Sequence, residues 1–144
     1  MFNKTPQGKI MAKSTRTPTE KFFADSIKWA KDRAKNKYHC DFDSKIDISY
    51  LVGMLEGQKG LCALTGEQME TTRGGDWYGG KNPNVVSIDR KDPNLGYTLD
   101  NIQLACSRWN TLKGTMTNEQ WFAMCKAGAT LQAMQTLTKQ GWQG

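Results

Sequence analysis

Three polar residues stand at defined points of one short stretch. Asp89 lies in Ser87-Ile88-Asp89-Arg90, Asn101 in Gly96-Tyr97-Thr98-Leu99-Asp100-Asn101-Ile102, and Asn110 follows nine residues later, ahead of Lys113. The stretch reads as strand, hairpin return and helix. A carboxylate on the strand and an amide oxygen on the helix can then converge on one hard cation. Magnesium accepts oxygen ligands and keeps several waters, so two protein ligands suffice where phosphate supplies others. Such a cation stabilises a phosphate undergoing cleavage and the 3′ oxygen that leaves. Asn101, at the junction of loop and helix, is placed to hold the hairpin loop through side-chain to backbone hydrogen bonds.

The elements that must position these residues have their own signals. Residues 1–16 carry Lys4, Lys9, Lys13 and Arg16 without an acid and read as a flexible basic arm, either a tail without a role or a source of phosphate contacts. Residues 17–144 read as a single domain. Thr17-Pro18-Thr19-Glu20 is a capping box with proline at the first helical position. Phe23, Ile27, Ala30 and Ala34 give that helix an apolar face, and Lys21, Lys28, Lys31, Arg33, Lys35 and Lys37 give it a basic surface, either a solvated face or one laid against DNA backbone. A second helix is expected from Asp47, with Ile48, Leu51, Val52 and Leu55 on one side and Gly60 as its stop. Leu61 to Gly66 reads as a short apolar strand ending in a turn. Residues 70–84 are rich in Gly and Asn and read as a loop, with Trp77 and Tyr78 as packing anchors or stacking platforms. Val85 to Asp89 reads as a strand, Pro93 to Gly96 as a tight turn and Tyr97-Thr98 as the return. A helix is expected from about Asp100 to Leu112, burying Ile102, Ala105, Cys106 and Trp109. Thr117-Asn118-Glu119-Gln120 is a second capping box. It should open a last helix with Trp121, Phe122 and Cys125 inward and an interruption at Gly128.

The ordered segments resemble the ββα-metal motif of HNH endonucleases, and are most similar to a group common in phage genomes. That group has a C-x-L-T-G segment, an S-[IL]-D-R segment, a G-Y-x-x-x-N turn and an N-x-x-K helix. The chain matches at Cys62, Leu64, Thr65, Gly66, Ser87, Ile88, Asp89, Arg90, Gly96, Tyr97, Asn101, Asn110 and Lys113. The helical region ending in Gln58-Lys59-Gly60 is similar as well, so the resemblance covers roughly residues 45–125. It implies an α+β fold, mainly helical, with a ββα core at about 85–113. It also implies a metal-dependent endonuclease that hydrolyses phosphodiester bonds in DNA, encoded by a phage or another mobile element. Asp89 and Asn110 would take the metal-ligand positions and Asn101 the central asparagine position. The expected cofactor is a divalent cation, magnesium with manganese as its substitute.

The departure from the family is at residue 90. Most members have a histidine there as general base, and this chain has Arg90. A guanidinium stays protonated and cannot accept the water's proton. Loss of a general base costs about 10²–10⁴ in rate. Three readings of Arg90 follow: a clamp on phosphate, a structural arginine paired with Asp92 or Asp100, or the mark of an impaired nuclease that still binds DNA. His39, the chain's single histidine, and Tyr97 are candidate substitute bases.

Relatives with a structural zinc hold it through two C-x-x-C pairs. Here Thr65 and Trp109 stand where the second cysteines would be, so no structural zinc is expected, and Cys62, Cys106 and Cys125 read as small buried hydrophobes. Arg73, Lys91, Arg108 and Lys113 flank the motif as candidate contacts to DNA phosphates. The net charge of +6 over 144 residues favours a polyanionic partner. There is no apolar run long enough to cross a membrane and no secretory pattern at the N-terminus, so the expected place is the cytoplasm, the host's if a phage encodes the chain.

Overall fold

The computed structural model describes residues 15–74 and 80–141, with the backbone of residues 3–4 and 10–11. Trp77 and Tyr78 lie outside the described residues. The architecture is α+β. Asn3–Lys4 (β1) and Ile10–Met11 (β2) pair antiparallel within the stretch expected as an arm. The first long helix, Pro18–Arg33 (α1), begins at the capping box. Thr17 Oγ1 accepts from the Glu20 N–H at 3.2 Å, and the Glu20 carboxylate accepts from the Thr17 N–H at 2.8 Å. Phe22, Phe23 and Ala30 of α1 enter the core. The helix runs into a π-helical turn, Ala34–Tyr38, which closes at His39 in the left-handed region.

Asp47 caps Ile48–Gly57 (α2) by accepting from the Tyr50 N–H at 2.8 Å. Lys59 and Gly60 both take positive φ and turn the chain back. Gln58, at the end of α2, meets the hairpin. Its amide donates to Leu104 O at 2.9 Å and accepts from the Leu104 N–H at 3.0 Å, so together with the Ala63 N–H, which also donates to Leu104 O at 3.0 Å, it covers the outer edge of the hairpin.

Val86–Arg90 (β3) and Ile102–Cys106 (β4) form an antiparallel hairpin in which Ile88 faces Leu104, Asp89 faces Gln103 and Arg90 faces Ile102. Ser107–Lys113 (α3) follows without a break, and Asn118–Lys139 (α4) completes the chain. The core gathers Phe23, Ile46, Leu51, Ile88, Leu104 and Trp121 around this hairpin. Among the described residues, no helix is long and apolar enough to cross a membrane.

Several elements differ from the sequence expectation. The return strand is Ile102–Cys106, not Tyr97-Thr98, and the following helix begins at Ser107 rather than Asp100. All five residues of β4 are buried, so its apolar run carries no alternation to separate it from a buried helix. Tyr97 is instead clamped to residues 41–43: its N–H donates to Asp41 O at 2.9 Å and its carbonyl accepts from the Asp43 N–H at 2.8 Å. Gly96 permits this, since a Cβ there would lie 2.8 Å from Asp41 O. In α4, Trp121 is inward, but Phe122 and Cys125 are exposed, and Gly128 does not interrupt the helix.

Leu61 to Gly66 is a turn rather than a strand, with Gly66 at φ 75° donating its N–H to Cys62 O at 2.8 Å. The turn brings Cys62 onto β4, where the Cys106 N–H donates to Cys62 Sγ at 3.2 Å. Burial alone would raise the Cys62 thiol, but the Thr65 side chain and the N–H groups of Cys106, Leu64 and Thr65 outweigh it and hold the thiol below its ordinary value. Burial and the adjacent Cys62 sulfur push Cys106 up to about 12. The pair thus favours one thiolate beside one thiol. In a Cys40→Ser/Cys125→Ser background, ultraviolet thiolate absorbance should rise in two separated steps, one below the ordinary value of 9.0 and one near 12. Two overlapping steps at the ordinary value would show that the sulfurs share no charge.

Candidate metal and phosphate cleft

The hairpin and α3 form one wall of a cleft of about 550 Å³, and the end of α1 with its π-helical turn forms the other. Asp89, Arg90, Ser87 and Asn110 line the first wall; Arg33, Lys37 and Tyr38 line the second. Asp89 and Asn110, chosen from sequence as ligands, therefore face one space.

Each has one oxygen left for it. Asp89 is buried, and its Oδ2 accepts from Lys113 Nζ at 2.8 Å and from Gln103 Nε2 at 2.8 Å. The described residues give its Oδ1 no partner, and among them no buried side-chain oxygen goes without one, so Oδ1 opens to the cleft. Asn110 spends its Nδ2 on Ser87 Oγ at 2.6 Å and on Ile88 O at 3.5 Å, and the described residues give its Oδ1 no partner. One anionic and one neutral oxygen suit a hard cation that draws its other ligands from water and phosphate. Among the described residues there is no cluster of three or more His, Cys, Asp or Glu side chains that could hold a metal by itself.

Asn101 stands just before β4, not at the start of a helix, and its side chain holds the hairpin loop. Its Nδ2 donates to Asp92 O at 3.0 Å and Gly96 O at 2.9 Å, and its Oδ1 accepts from the Asp92 N–H at 3.0 Å. Three bonds from one buried amide close the loop between the strands. Asn101 does not line the cleft; it is a positioning residue.

Arg90 pairs with neither Asp92 nor Asp100. Its guanidinium lies 4.1 Å from the Tyr38 ring and donates to Leu95 O at 3.0 Å. It is nine-tenths buried but still lines the cleft, so it contributes positive potential there. His39 is exposed and does not line the cleft. Tyr97 does line it, but burial pushes its hydroxyl above the ordinary value, and Arg33 beside it offsets this only in part. The phenol therefore stays protonated near neutral pH and is a poor proton acceptor.

The four flanking cations lie apart from the cleft, and two are consumed by the fold. Lys113 is buried: besides Asp89, its ammonium donates to Arg90 O at 2.7 Å and Lys91 O at 3.5 Å. It cannot also reach a DNA phosphate, which corrects the surface role expected of it. Arg73 is packed on α1, with its guanidinium 3.9 Å from the Phe22 ring and 4.4 Å from the Trp29 ring, donating to Phe22 O and Ser26 Oγ. Arg108 is exposed, donating to Asn84 Oδ1 at 2.6 Å beside Glu67 at 3.5 Å. Lys91 is exposed.

Gln103, Arg33 and Lys37 were not singled out as site residues by sequence. Gln103 pairs with Asn118 at the start of α4: each amide donates to the other, at 2.7 and 2.9 Å. Asn118, Gln103, Asp89 and Lys113 thus form one connected polar chain. The strand register Asp89 opposite Gln103 was the signal that could have found it. Trp109 packs 6.3 Å from Trp121 and donates to Glu67 at 2.9 Å. Compared with models of protein families, with curated proteins and with solved structures, the chain matches none.

Removing the ammonium while leaving the carboxylate buried should be costly. Lys113→Met is expected to lower unfolding stability by about 3–5 kcal/mol, the usual cost of breaking a buried pair. Asp89→Asn/Lys113→Met should recover most of it in urea unfolding. A double variant no more stable than Lys113→Met would mean the lysine acts through its stem, not its charge.

Proposed function

We propose that the chain is a metal-dependent endonuclease that hydrolyses phosphodiester bonds in DNA. The observation that carries this reading is the cleft: Asp89 and Asn110 both line it, and Arg33, Lys37 and Arg90 line it with positive charge. Asp89 and Asn110 would hold a divalent cation, which when bound neutralises charge on the scissile phosphate and its leaving oxygen. Magnesium fits the donor set, and manganese would substitute. The resemblance to the HNH motif agrees with this placement of strand, strand and helix.

The residues divide the remaining work. Lys113 and Gln103 pin Asp89 Oδ2 and so aim Oδ1. Ser87 and Ile88 O fix the Asn110 amide. Asn101 and Arg90 hold the loop from both sides, through Asp92, Gly96 and Leu95. No imidazole lines the cleft to take the proton of the attacking water. The enzyme is therefore expected to be slow, about 10²–10⁴ below an otherwise equal nuclease with a histidine base.

A second reading is specifically favoured by Arg90 and Lys113: a DNA-binding protein of the same architecture with impaired catalysis. Arg90 fills the base position with a fixed cation, and Lys113 shares the carboxylate that would hold metal.

Negatively supercoiled plasmid, which melts locally and so offers both duplex and single-stranded stretches, decides between them. The purified protein should nick it with magnesium or manganese, lose this on chelation, and lose at least about 10²-fold on Asp89→Ala or Asn110→Ala. His39→Ala should cut like the parent, and the pH–rate profile should lack an inflection in the histidine range near about 6.5. A protein that shifts DNA in a gel but never cuts it supports the second reading. An Asp89→Ala variant that cuts like the parent removes the site assignment.

A further inference from the structure

The cleft does not stop at the proposed cation site. Arg33, Ser87 and Ile88 also line a second, adjoining hollow, which is bounded beyond them by Trp29 and Arg73. The two make one groove between α1 and the hairpin. Trp29, Arg33 and Lys37 follow at i, i+4 and i+8 along its α1 side. A pure α-helix would carry such a row gradually round its axis; the π-helical turn at Ala34–Tyr38 inserts extra backbone and delays that drift. The row spans roughly 12 Å at about 1.5 Å per helical residue.

Its chemistry is ordered. Lys37 is exposed, and Arg33 is half-buried beside the Tyr97 hydroxyl. Trp29 is 46% exposed, unusual for an indole, while Arg73 lies against its ring at 4.4 Å. Arg73 is itself held by Phe22 O and Ser26 Oγ, so the indole rests on a fixed support. Cations along a groove ending in an exposed, supported aromatic face are what a single nucleic-acid strand requires: charge along the backbone and a platform for an unstacked base. A duplex offers no free base face to the indole.

We propose that this groove is a track for one DNA strand, with Lys37 and Arg33 on phosphates next to the scissile one and Trp29 stacking an unpaired base. The proposal rests on the nuclease reading of the same cleft and deepens it by naming the substrate form: DNA with a single-stranded stretch at the cut.

Fluorescence anisotropy with labelled single-stranded and duplex oligonucleotides, in chelator so that nothing is cut, tests it. Each phosphate contact on a single strand contributes about 0.7 to the slope of log affinity against log salt. Lys37→Gln should lose about that much, while Lys139→Gln, the same charge change on exposed α4, should lose nothing. Trp29→Ala should weaken single-strand binding about 5- to 100-fold and duplex binding less than about twofold. Equal slope losses for the two lysine variants, or equal weakening of both DNA forms by Trp29→Ala, would overturn the track. If the parent still cuts plasmid in that case, the nuclease reading stands without it. A parent that binds neither oligonucleotide and cuts no plasmid overturns both.

Discussion

The ion pair between Lys113 and Asp89 organises the rest of the site. Its two ends come from different elements, the last turn of α3 and the end of β3, and both are buried. Burying two charges is expensive, and the attraction repays it only where the remaining hydrogen-bonding capacity is used. Here the ammonium also meets Arg90 O and Lys91 O, and the carboxylate also meets Gln103. The pair therefore fixes how α3 lies on the hairpin. Asn110 stands three residues before Lys113 on the same helix, so locking the lysine also locks the asparagine over Ser87. Through Gln103 and Asn118 the same network reaches the first turn of α4. Positioning of both proposed ligands is thus one event rather than two.

The hairpin loop is held by a separate device. Asn101 spends its amide on Asp92 and Gly96, and Arg90 reaches Leu95 O from the other side. Gly96 lets Asp41 approach, which ties the loop to the chain leaving α1. Tyr38 then stacks on Arg90, so the π-helical turn and the hairpin touch through a cation on a ring. Arg90 accordingly has a structural duty that a neutral histidine would fill less well, since five donors on a planar fork serve stacking and hydrogen bonding together. Its charge remains at the cleft all the same.

What could be read from sequence followed the range of the interactions. Thr17, Asp47 and Thr117 cap their helices through partners three residues away, and all three were legible. Asn101 was legible because its partners lie within nine residues. β4 was misplaced because a strand buried on both faces has no period of two to display. Lys113 reads as a surface cation because lysine is seldom fully buried unless paired, and its partner lies 24 residues away. Arg73, held by α1 across 51 residues, failed for the same reason. The sequence places Lys37 and Arg33 on a basic helix surface that could lie against DNA, without saying which of its cations reach the site. Their relation to the cleft depends on how α1 lies against β3, which no local pattern encodes.

The balance of charge at the cleft gives the proposed chemistry an order. Asp89 is the carboxylate that lines it, and Lys113 already neutralises that charge. Arg33, Lys37 and Arg90 remain as excess positive charge. A divalent cation approaching such a site alone meets repulsion with one shared carboxylate to offset it. A phosphate meets attraction. Once a phosphate is seated, its oxygens turn the local potential negative and complete the ligand set that Asp89 and Asn110 begin. On this reading the substrate seats first and the cation follows, its site completed by the phosphate. The basic wall of α1 is then part of the metal chemistry even though it offers no ligand to the metal.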